Sequence, residues 1–144
     1  MDKIAVVVGE KNNYYNSIWA WLNESGYTPF YLNASLVDNI SGLEPDLIIQ
    51  EFPDVSMNHE REYAIIEETM NYIKSSTKDI SLLVLDALPN YSKAVELPKL
   101  SQKILSGSKV QFAYGRRTDK KEKFAEYLAC LQKQSGTNVP LLLG

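Results

Sequence analysis

The sequence predicts an α/β fold, in which a single doubly wound domain of five β/α units surrounds a central five-stranded parallel sheet. Short runs of β-branched and aliphatic residues alternate with segments of helical periodicity along the 144 residues. The first run, 4–8, is apolar throughout, which is typical of a strand covered on both faces. No repeat, low-complexity block or long linker interrupts the chain. We therefore expect one domain at residues 1–138, followed by an apolar tail at 139–144.

The strands are predicted where apolar runs end at glycine, proline or an acidic residue. A run that is buried on both faces reads as continuous hydrophobicity rather than alternation, so each short run is assigned to the interior of the sheet. The predicted strands are 4–8, 28–32, 47–49, 80–85 and 110–114.

The helices are predicted from apolar residues at steps of three and four. The clearest stripe is Tyr63, Ile66, Met70 and Ile73, within a helix over 60–74. Pro98 is expected in the first turn of its helix, because proline lacks the N–H that an interior position needs. The other predicted helices are 17–25, which Gly26 ends, a short one at 36–40, one carrying Leu97, Leu100 and Ile104, and one from Asp119 to Gly136.

Composition excludes several classes of function. Lys plus Arg number 15 against 18 Asp plus Glu, a net charge of −3, so the domain alone has no broad basic field for nucleic acid. One cysteine, Cys130, and one histidine, His59, exclude an internal disulfide and a structural zinc site. Only five apolar residues follow the polar start, too few for a signal peptide or a membrane span. We expect a cytoplasmic protein that does not bind a membrane.

Charged residues follow the predicted strands at the edge where open parallel sheets bind ligands. Glu10, Glu51 and Asp86 are the candidate catalytic residues, and Glu10 with Glu51 is a weak candidate metal site. Convergence of these carboxylates in one crevice is one interpretation, and ordinary solvated loop residues are the other. The candidate anion-binding or partner-binding residues form a basic run after the fifth strand. They are Arg116, Arg117, Lys120 and Lys121.

One segment resembles the receiver domain of two-component response regulators, which has a flavodoxin-like fold. Pro45-Asp46-Leu47-Ile48-Ile49-Gln50-Glu51 is similar to the family's Pro-Asp-Leu-Ile-Ile-x-Asp run. Gly26-Tyr27 lies 16 residues after Glu10, close to the family's spacing between its second N-terminal acid and the Gly-Tyr after the first helix. The resemblance implies that Glu51 stands at the phosphoacceptor position.

The departures from the family's pattern predict a pseudo-receiver without phosphoryl transfer. Gly9-Glu10 supplies one carboxylate where the family has a magnesium-binding pair, so Mg²⁺ binding is expected to be weak or absent and no cofactor is expected. Glu51 is longer than aspartate and carries a fixed charge. Asp86 replaces the family's hydroxyl residue, and Arg116 lies near the place of its lysine.

Two functions remain open at this point. The first is a receiver-like domain that acts by protein–protein interaction in a signalling or regulatory assembly. The resemblance implies contact with a protein partner or a second copy through the fourth helix, fifth strand and fifth helix. The apolar tail is expected either to fold back onto the domain or to pack against another chain. The alternative is a small enzyme that uses Glu51 or Asp86 as nucleophile or general base on a nucleotide or nucleoside. The enzyme needs a closed pocket around Glu10, Glu51 and Asp86.

Overall fold

Strands and helices alternate along the chain, as the sequence predicts. The computed structural model describes residues 3–9, 13–33, 40, 42–52, 59–87, 91–105, 110–133 and 141–143. The strands are β1 (Lys3–Gly9), β2 (Tyr27–Asn33), β3 (Leu47–Phe52), β4 (Ser81–Asp86), β5 (Phe112–Arg116) and β6 (Leu141–Leu143). The helices are α1 (Asn13–Glu24), α2 (His59–Ser75), α3 (Tyr91–Ile104) and α4 (Lys121–Lys133). None of the helices in this part of the chain is long and apolar enough to cross a bilayer.

All six strands belong to one parallel sheet in the order β2-β1-β3-β4-β5-β6. The predicted five-stranded doubly wound sheet is confirmed, and the strand order reverses where β1 lies between β2 and β3. The sixth strand comes from the apolar tail, where Leu141, Leu142 and Leu143 pair with β5. The division of the chain at residue 138 stays a prediction.

Two of the described helices cover each face of the sheet, and each face has its own apolar core. The core under α2 and α3 includes Val6, Ile48, Ile66, Val84 and Phe112. The core under α1 and α4 includes Val7, Ile18, Ile49, Leu85 and Phe124. Side chains alternate between these two cores along every central strand, so a residue's position in its strand decides which core it faces.

Some element boundaries differ from the predicted ones. The helix that carries Leu97 begins at Tyr91, so Pro98 lies inside α3 and the prediction of a first-turn proline was wrong. Pro98 supplies no backbone N–H to the carbonyl of residue 94 and its ring crowds the preceding turn, so it weakens the interior of α3. Of the short helix predicted at 36–40, residues 36–39 lie outside the described part of the chain. Gly26, with φ of 88°, follows α1 and confirms the predicted glycine end of that helix.

All five predicted strands extend further at their carboxyl ends than predicted. β3 continues to Phe52 and β5 continues to Arg116, whereas the sequence placed Gln50, Glu51 and Arg116 in the loops that follow. As strand residues, they are subject to the alternation of side chains between the two faces of the sheet.

Candidate functional site

Glu51 lies near the carboxyl end of β3, beside the point where the strand order reverses. Its neighbour on β1 is Gly9, and a Cβ atom built at Gly9 would lie 3.3 Å from the Cβ of Glu51. Glycine at position 9 therefore leaves the space that the Glu51 side chain needs. The side chain is only 2% exposed, so its carboxylate is almost completely removed from water.

Arg117 neutralises this buried carboxylate. Its Nη1 lies 3.3 Å from Oε1 of Glu51, and the Arg117 side chain is itself only 26% exposed. The Arg117 backbone N–H donates to the carbonyl oxygen of Asp86 at 2.9 Å, which fixes the start of the β5–α4 connection against β4. The pairing is chemically required, because an isolated buried carboxylate would be strongly destabilising.

Tyr14 of α1 completes the surroundings of Arg117. The guanidinium carbon lies 4.6 Å from the centre of the Tyr14 ring, a cation–π contact. The Tyr14 hydroxyl accepts a hydrogen bond from the backbone N–H of Thr118 at 3.2 Å, and Trp21 packs edge-on against the ring. Burial is the main reason that the pKa of Tyr14 is raised above its usual value, so the hydroxyl remains protonated at neutral pH. These contacts hold the β5–α4 connection against α1 as well as β3.

Asp86, the other described candidate carboxylate, lies at the end of β4 and is fully buried. The hydroxyl of Tyr114 on β5 donates to its Oδ2 at 2.6 Å. Tyr114 belongs to the core under α2 and α3. Asp86 is therefore directed to the α2–α3 face of the sheet.

Glu51 and Asp86 consequently lie on opposite faces. In the β3–β4 register Glu51 pairs with Leu85, which belongs to the core under α1 and α4. Asp86 is the next residue along β4, so its side chain has the other orientation. The expected convergence of these two carboxylates in one crevice does not occur. Glu10 lies outside the described residues.

The four basic candidates do not act as one cluster. Arg117 pairs with Glu51, and Lys121 pairs with Glu24 of α1 at 2.5 Å on the surface. Arg116 is exposed, while its backbone carbonyl accepts a hydrogen bond from the Tyr127 hydroxyl at 3.0 Å. Lys120 is also exposed. An anion-binding role for this group stays a prediction.

Metal binding requires several ligands on one side of the sheet. No group of three His, Cys, Asp or Glu residues is placed to hold a metal ion within the part of the chain that the structure describes. Of the described carboxylates predicted at this edge, Glu51 is paired with a cation and Asp86 faces the opposite core. Glu51 and Asp86 therefore supply no pair of carboxylates on one side of the sheet, and weak or absent Mg²⁺ binding stays a prediction.

Sequence reasoning missed two residues of this region. Tyr14 is buried, and its contact with Arg117 was not predicted. Gln50 is 3% exposed, and its Oε1 has no hydrogen-bond partner among the residues that the structure describes. A polar residue in the apolar run before Glu51 was the available signal for Gln50. No local pattern indicates the Tyr14–Arg117 contact, because these residues are distant in sequence.

Several solved structures with similar architecture are response regulators or their receiver domains. A response regulator from Thermotoga maritima aligns with a TM-score of 0.65 and 14% identity, over 93% of this chain and 100% of that one. The chain has the receiver fold. The signal receiver domain of a putative Luxo repressor protein from Vibrio parahaemolyticus aligns with a TM-score of 0.62 and 14% identity, over 94% of this chain and 93% of that one. Response regulator protein TrrA from Thermotoga maritima, in complex with Mg(2+)-BeF, aligns with a TM-score of 0.59 and 19% identity, over 90% of this chain and 98% of that one.

The likeness at these identities concerns the receiver fold alone. No protein-family model matches the chain, and no curated protein matches it in sequence. The chemistry of the site therefore has to be argued from its own side chains.

Proposed function

We propose that this chain is a receiver-fold signalling module that acts by contact with a protein partner and does not transfer a phosphoryl group. The observation that carries the proposal is the Glu51–Arg117 pair. A phosphoacceptor carboxylate must present an oxygen to a phosphodonor. Glu51 stands at that position by resemblance, but it is buried and its charge is already balanced by a guanidinium.

Asp86 supports the same interpretation. The resemblance places it where receiver domains have a hydroxyl residue that contacts the phosphoryl group. A carboxylate would repel that group, and this one faces the opposite core, where it accepts a hydrogen bond from Tyr114. Both positions that would change state on phosphorylation are thus engaged in fixed contacts.

The proposal includes operation without Mg²⁺ and a cytoplasmic location. The alternative, an enzyme acting on a nucleotide or nucleoside, required Glu51 and Asp86 to line one pocket. Their placement on opposite faces of the sheet argues against that pocket. The contact module is therefore the function that the geometry supports best.

The contact surface that we propose is formed by α3, β5 and α4, which correspond to the predicted fourth helix, fifth strand and fifth helix. The outer edge of β5 is paired with β6, so a partner meets the exposed sides of the helices first. Lys99 and Lys103 on α3 and Glu122 and Glu126 on α4 are exposed. Mixed charges at a contact surface provide specificity more than affinity.

Intact mass spectrometry tests the absence of phosphoryl transfer. The full chain is incubated with acetyl phosphate and Mg²⁺. Glu51→Asp and Glu51→Gln variants are treated in the same way for comparison. We expect no added phosphoryl group on the wild type, because Glu51 is paired with Arg117. A stoichiometric phosphoryl adduct on the wild type that is absent from a Glu51→Gln variant would overturn the proposal.

A pair of charge reversals tests the contact surface. Lys99 on α3 and Lys74 on α2 are both exposed lysines, so Lys99→Glu and Lys74→Glu change the net charge equally. Proteins that bind the wild-type chain in a pull-down should remain bound to Lys74→Glu and be lost from Lys99→Glu. Equal retention by both variants excludes α3 as part of the contact.

A further inference from the structure

One side of α1 is exposed and uncharged, and we call it the α1 face. Its residues recur at helical spacing and are Asn16, Trp19, Ala20 and Asn23. Glu24 is the only charged residue of α1 and pairs with Lys121, whereas each of the other three described helices contains at least four charged residues. Tryptophan is enriched and charge is depleted at the centres of protein interfaces. The α1 face thus has the composition of a contact surface.

Trp19 is held in place on this face although it is 42% exposed. Its ring packs edge-on against Tyr15, with the ring centres 5.8 Å apart, and Tyr15 packs against Tyr31 at 4.8 Å. The Tyr31 hydroxyl donates to the carbonyl oxygen of Gly9 at 2.7 Å, so this row of rings is tied to β1. A side chain that is ordered before binding loses little conformational entropy when a partner covers it. Trp19 is therefore suited to anchor a contact.

The α1 face is complementary to itself when it is turned end to end, and this favours a second copy as its occupant. Two antiparallel α1 helices with a two-fold axis between positions 19 and 20 place residue 16 against 23 and residue 19 against 20. The large ring of Trp19 then meets the small side chain of Ala20. Asn16 meets Asn23, and each primary amide both donates and accepts hydrogen bonds. The bond from Asn23 Nδ2 to the Trp19 carbonyl oxygen, at 3.1 Å, uses one of two N–H groups.

The absence of charge from the α1 face also fits a two-fold contact. Near the axis, each residue of one copy meets the same surface of the other, so a charged residue there lies close to an identical charge. Like charges brought together oppose binding. Exposed charges such as Glu68 on α2, Lys99 on α3 and Glu122 on α4 would have this effect. A different protein with a charged contact surface would bury its charges on the α1 face without counter-charges.

We propose that two copies of this chain associate through antiparallel α1 helices, with Trp19 of each copy packed against Ala20 of the other. Asn16 and Asn23 are about 10 Å apart along the helix, so the contact is short and belongs to the small, weak class of interfaces. The dimer forms reversibly as the protein concentration rises. The inference goes beyond the proposed function, because α1 is not part of the surface formed by α3, β5 and α4 and no phosphate chemistry is involved. Each proposal can therefore fail without the other.

Sedimentation velocity of the full chain at concentrations up to about 1 mM tests the association. The wild type should shift from monomer towards dimer as the concentration rises. Trp19→Glu should remain monomeric, because it removes the anchor and places like charges near the two-fold axis. Phe30→Glu is the matched control, since Phe30 on β2 is 38% exposed and lies outside the α1 face. This variant should dimerise like the wild type.

A second variant guards against a folding defect in Trp19→Glu. Ala20→Glu changes an exposed helix position, retains the tryptophan and should also abolish the dimer. Circular dichroism checks that the three variants are folded. A wild type that is monomeric at every concentration, a dimer retained by either α1 variant, or loss of the dimer in Phe30→Glu overturns the proposal.

Mixed disulfides test the antiparallel direction. In a Cys130→Ser background, an Asn16→Cys protein labelled with nitrogen-15 is mixed with an equal amount of unlabelled Asn23→Cys protein and oxidised. Intact mass spectrometry separates the three disulfide dimers. The mixed dimer should exceed half of the total, the share that random pairing gives, because antiparallel helices bring these positions together. Lys74→Cys, with its thiol on α2, measures the background. A mixed share of half or less, or a yield no higher than that of Lys74→Cys, contradicts the antiparallel contact.

Discussion

Glu51 and Arg117 form the central contact of the candidate site, and their energetics can be read from their burial. Glu51 is 2% exposed and Arg117 is 26% exposed, so the pair is shielded from solvent far more than a surface ion pair. Removing one partner of such a pair leaves the other charge buried and unpaired. Removal of either side chain would therefore destabilise the β5–α4 connection, because the remaining charge would be buried without a counter-charge.

Arg117→Met, which retains the length of the side chain without the charge, should lower the free energy of unfolding by about 2–4 kcal/mol. The measurement is urea denaturation. The matched control is Lys121→Met, because the Lys121–Glu24 pair is exposed and should change stability little. Combining Arg117→Met with Glu51→Gln should recover part of the loss. A loss no larger than that of Lys121→Met would show that the pair has no structural role.

Gln50 is a buried polar residue, and within the described part of the chain its Oε1 lacks a hydrogen-bond partner. An unsatisfied buried acceptor is destabilising, so Gln50→Leu should raise the free energy of unfolding by about 1–2 kcal/mol. Gln50→Glu, of nearly the same shape, should lower it because it buries a charge. Denaturant unfolding of both variants is the test. Destabilisation by the leucine would mean that the amide makes a contact that matters.

We expect the protein to lose stability at alkaline pH because two tyrosines of α1 have raised pKa values. Burial, with a contribution from Tyr31, raises the pKa of Tyr15 to about 12, and burial also raises the pKa of Tyr14. The unfolded chain releases these protons from about pH 10. It then binds fewer protons than the folded chain, so stability falls as the pH rises above that value.

Urea unfolding should show a decline of up to about 1.4 kcal/mol per pH unit for each such tyrosine above pH 10. Lysines also titrate in this range, so the decisive quantity is the difference from Tyr15→Phe. The wild type should lose stability more steeply with pH than this variant. Parallel pH profiles would contradict a raised pKa for Tyr15.

The lengths of β3 and β4 determine how the Glu51 and Asp86 carboxylates are arranged. The sequence predicted Glu51 and Asp86 just beyond their strands, where loop conformation would have let them converge. β3 extends to Phe52 and β4 includes Asp86. The alternation of side chains between the two faces of a sheet therefore sets the direction of both carboxylates. The apolar runs indicate where strands begin, but a polar residue at a strand end has no local signal that separates strand from loop. The opposite orientations were therefore not predictable from the runs alone.

Pro98 lies in the interior of α3, where it supplies no N–H to the helix. Pro98→Ala restores a hydrogen bond to the carbonyl of residue 94 and removes a steric clash. The gain is reduced because replacing proline with alanine also increases the conformational entropy of the unfolded chain, which favours unfolding. The free energy of unfolding should rise by about 1–3 kcal/mol, which urea denaturation measures. An unchanged or lower stability would mean that the proline ring contributes to packing on the sheet.

At the scale of the whole molecule, the parallel sheet was predictable because it depends on long apolar runs such as 4–8 and on the alternation of strands with helices. The confirmed sheet differs chiefly by β6, since three leucines near the chain end fit both folding back and packing on another chain. The candidate site was less predictable. The contact between Tyr14 and Arg117 joins α1 to the β5–α4 connection across the folded sheet, and no spacing in the sequence indicates it.

We propose that the Glu51–Arg117 ion pair occupies the position at which receiver domains are phosphorylated. Amide NMR of the labelled full chain, with and without Mg²⁺ and beryllofluoride, tests this proposal. We expect the resonances of Glu51, Asp86 and Arg117 to remain in place, because the two carboxylates are engaged with Arg117 and Tyr114 on opposite faces of the sheet. Saturable shifts centred on these three residues would show instead that the site opens and binds a phosphoryl mimic.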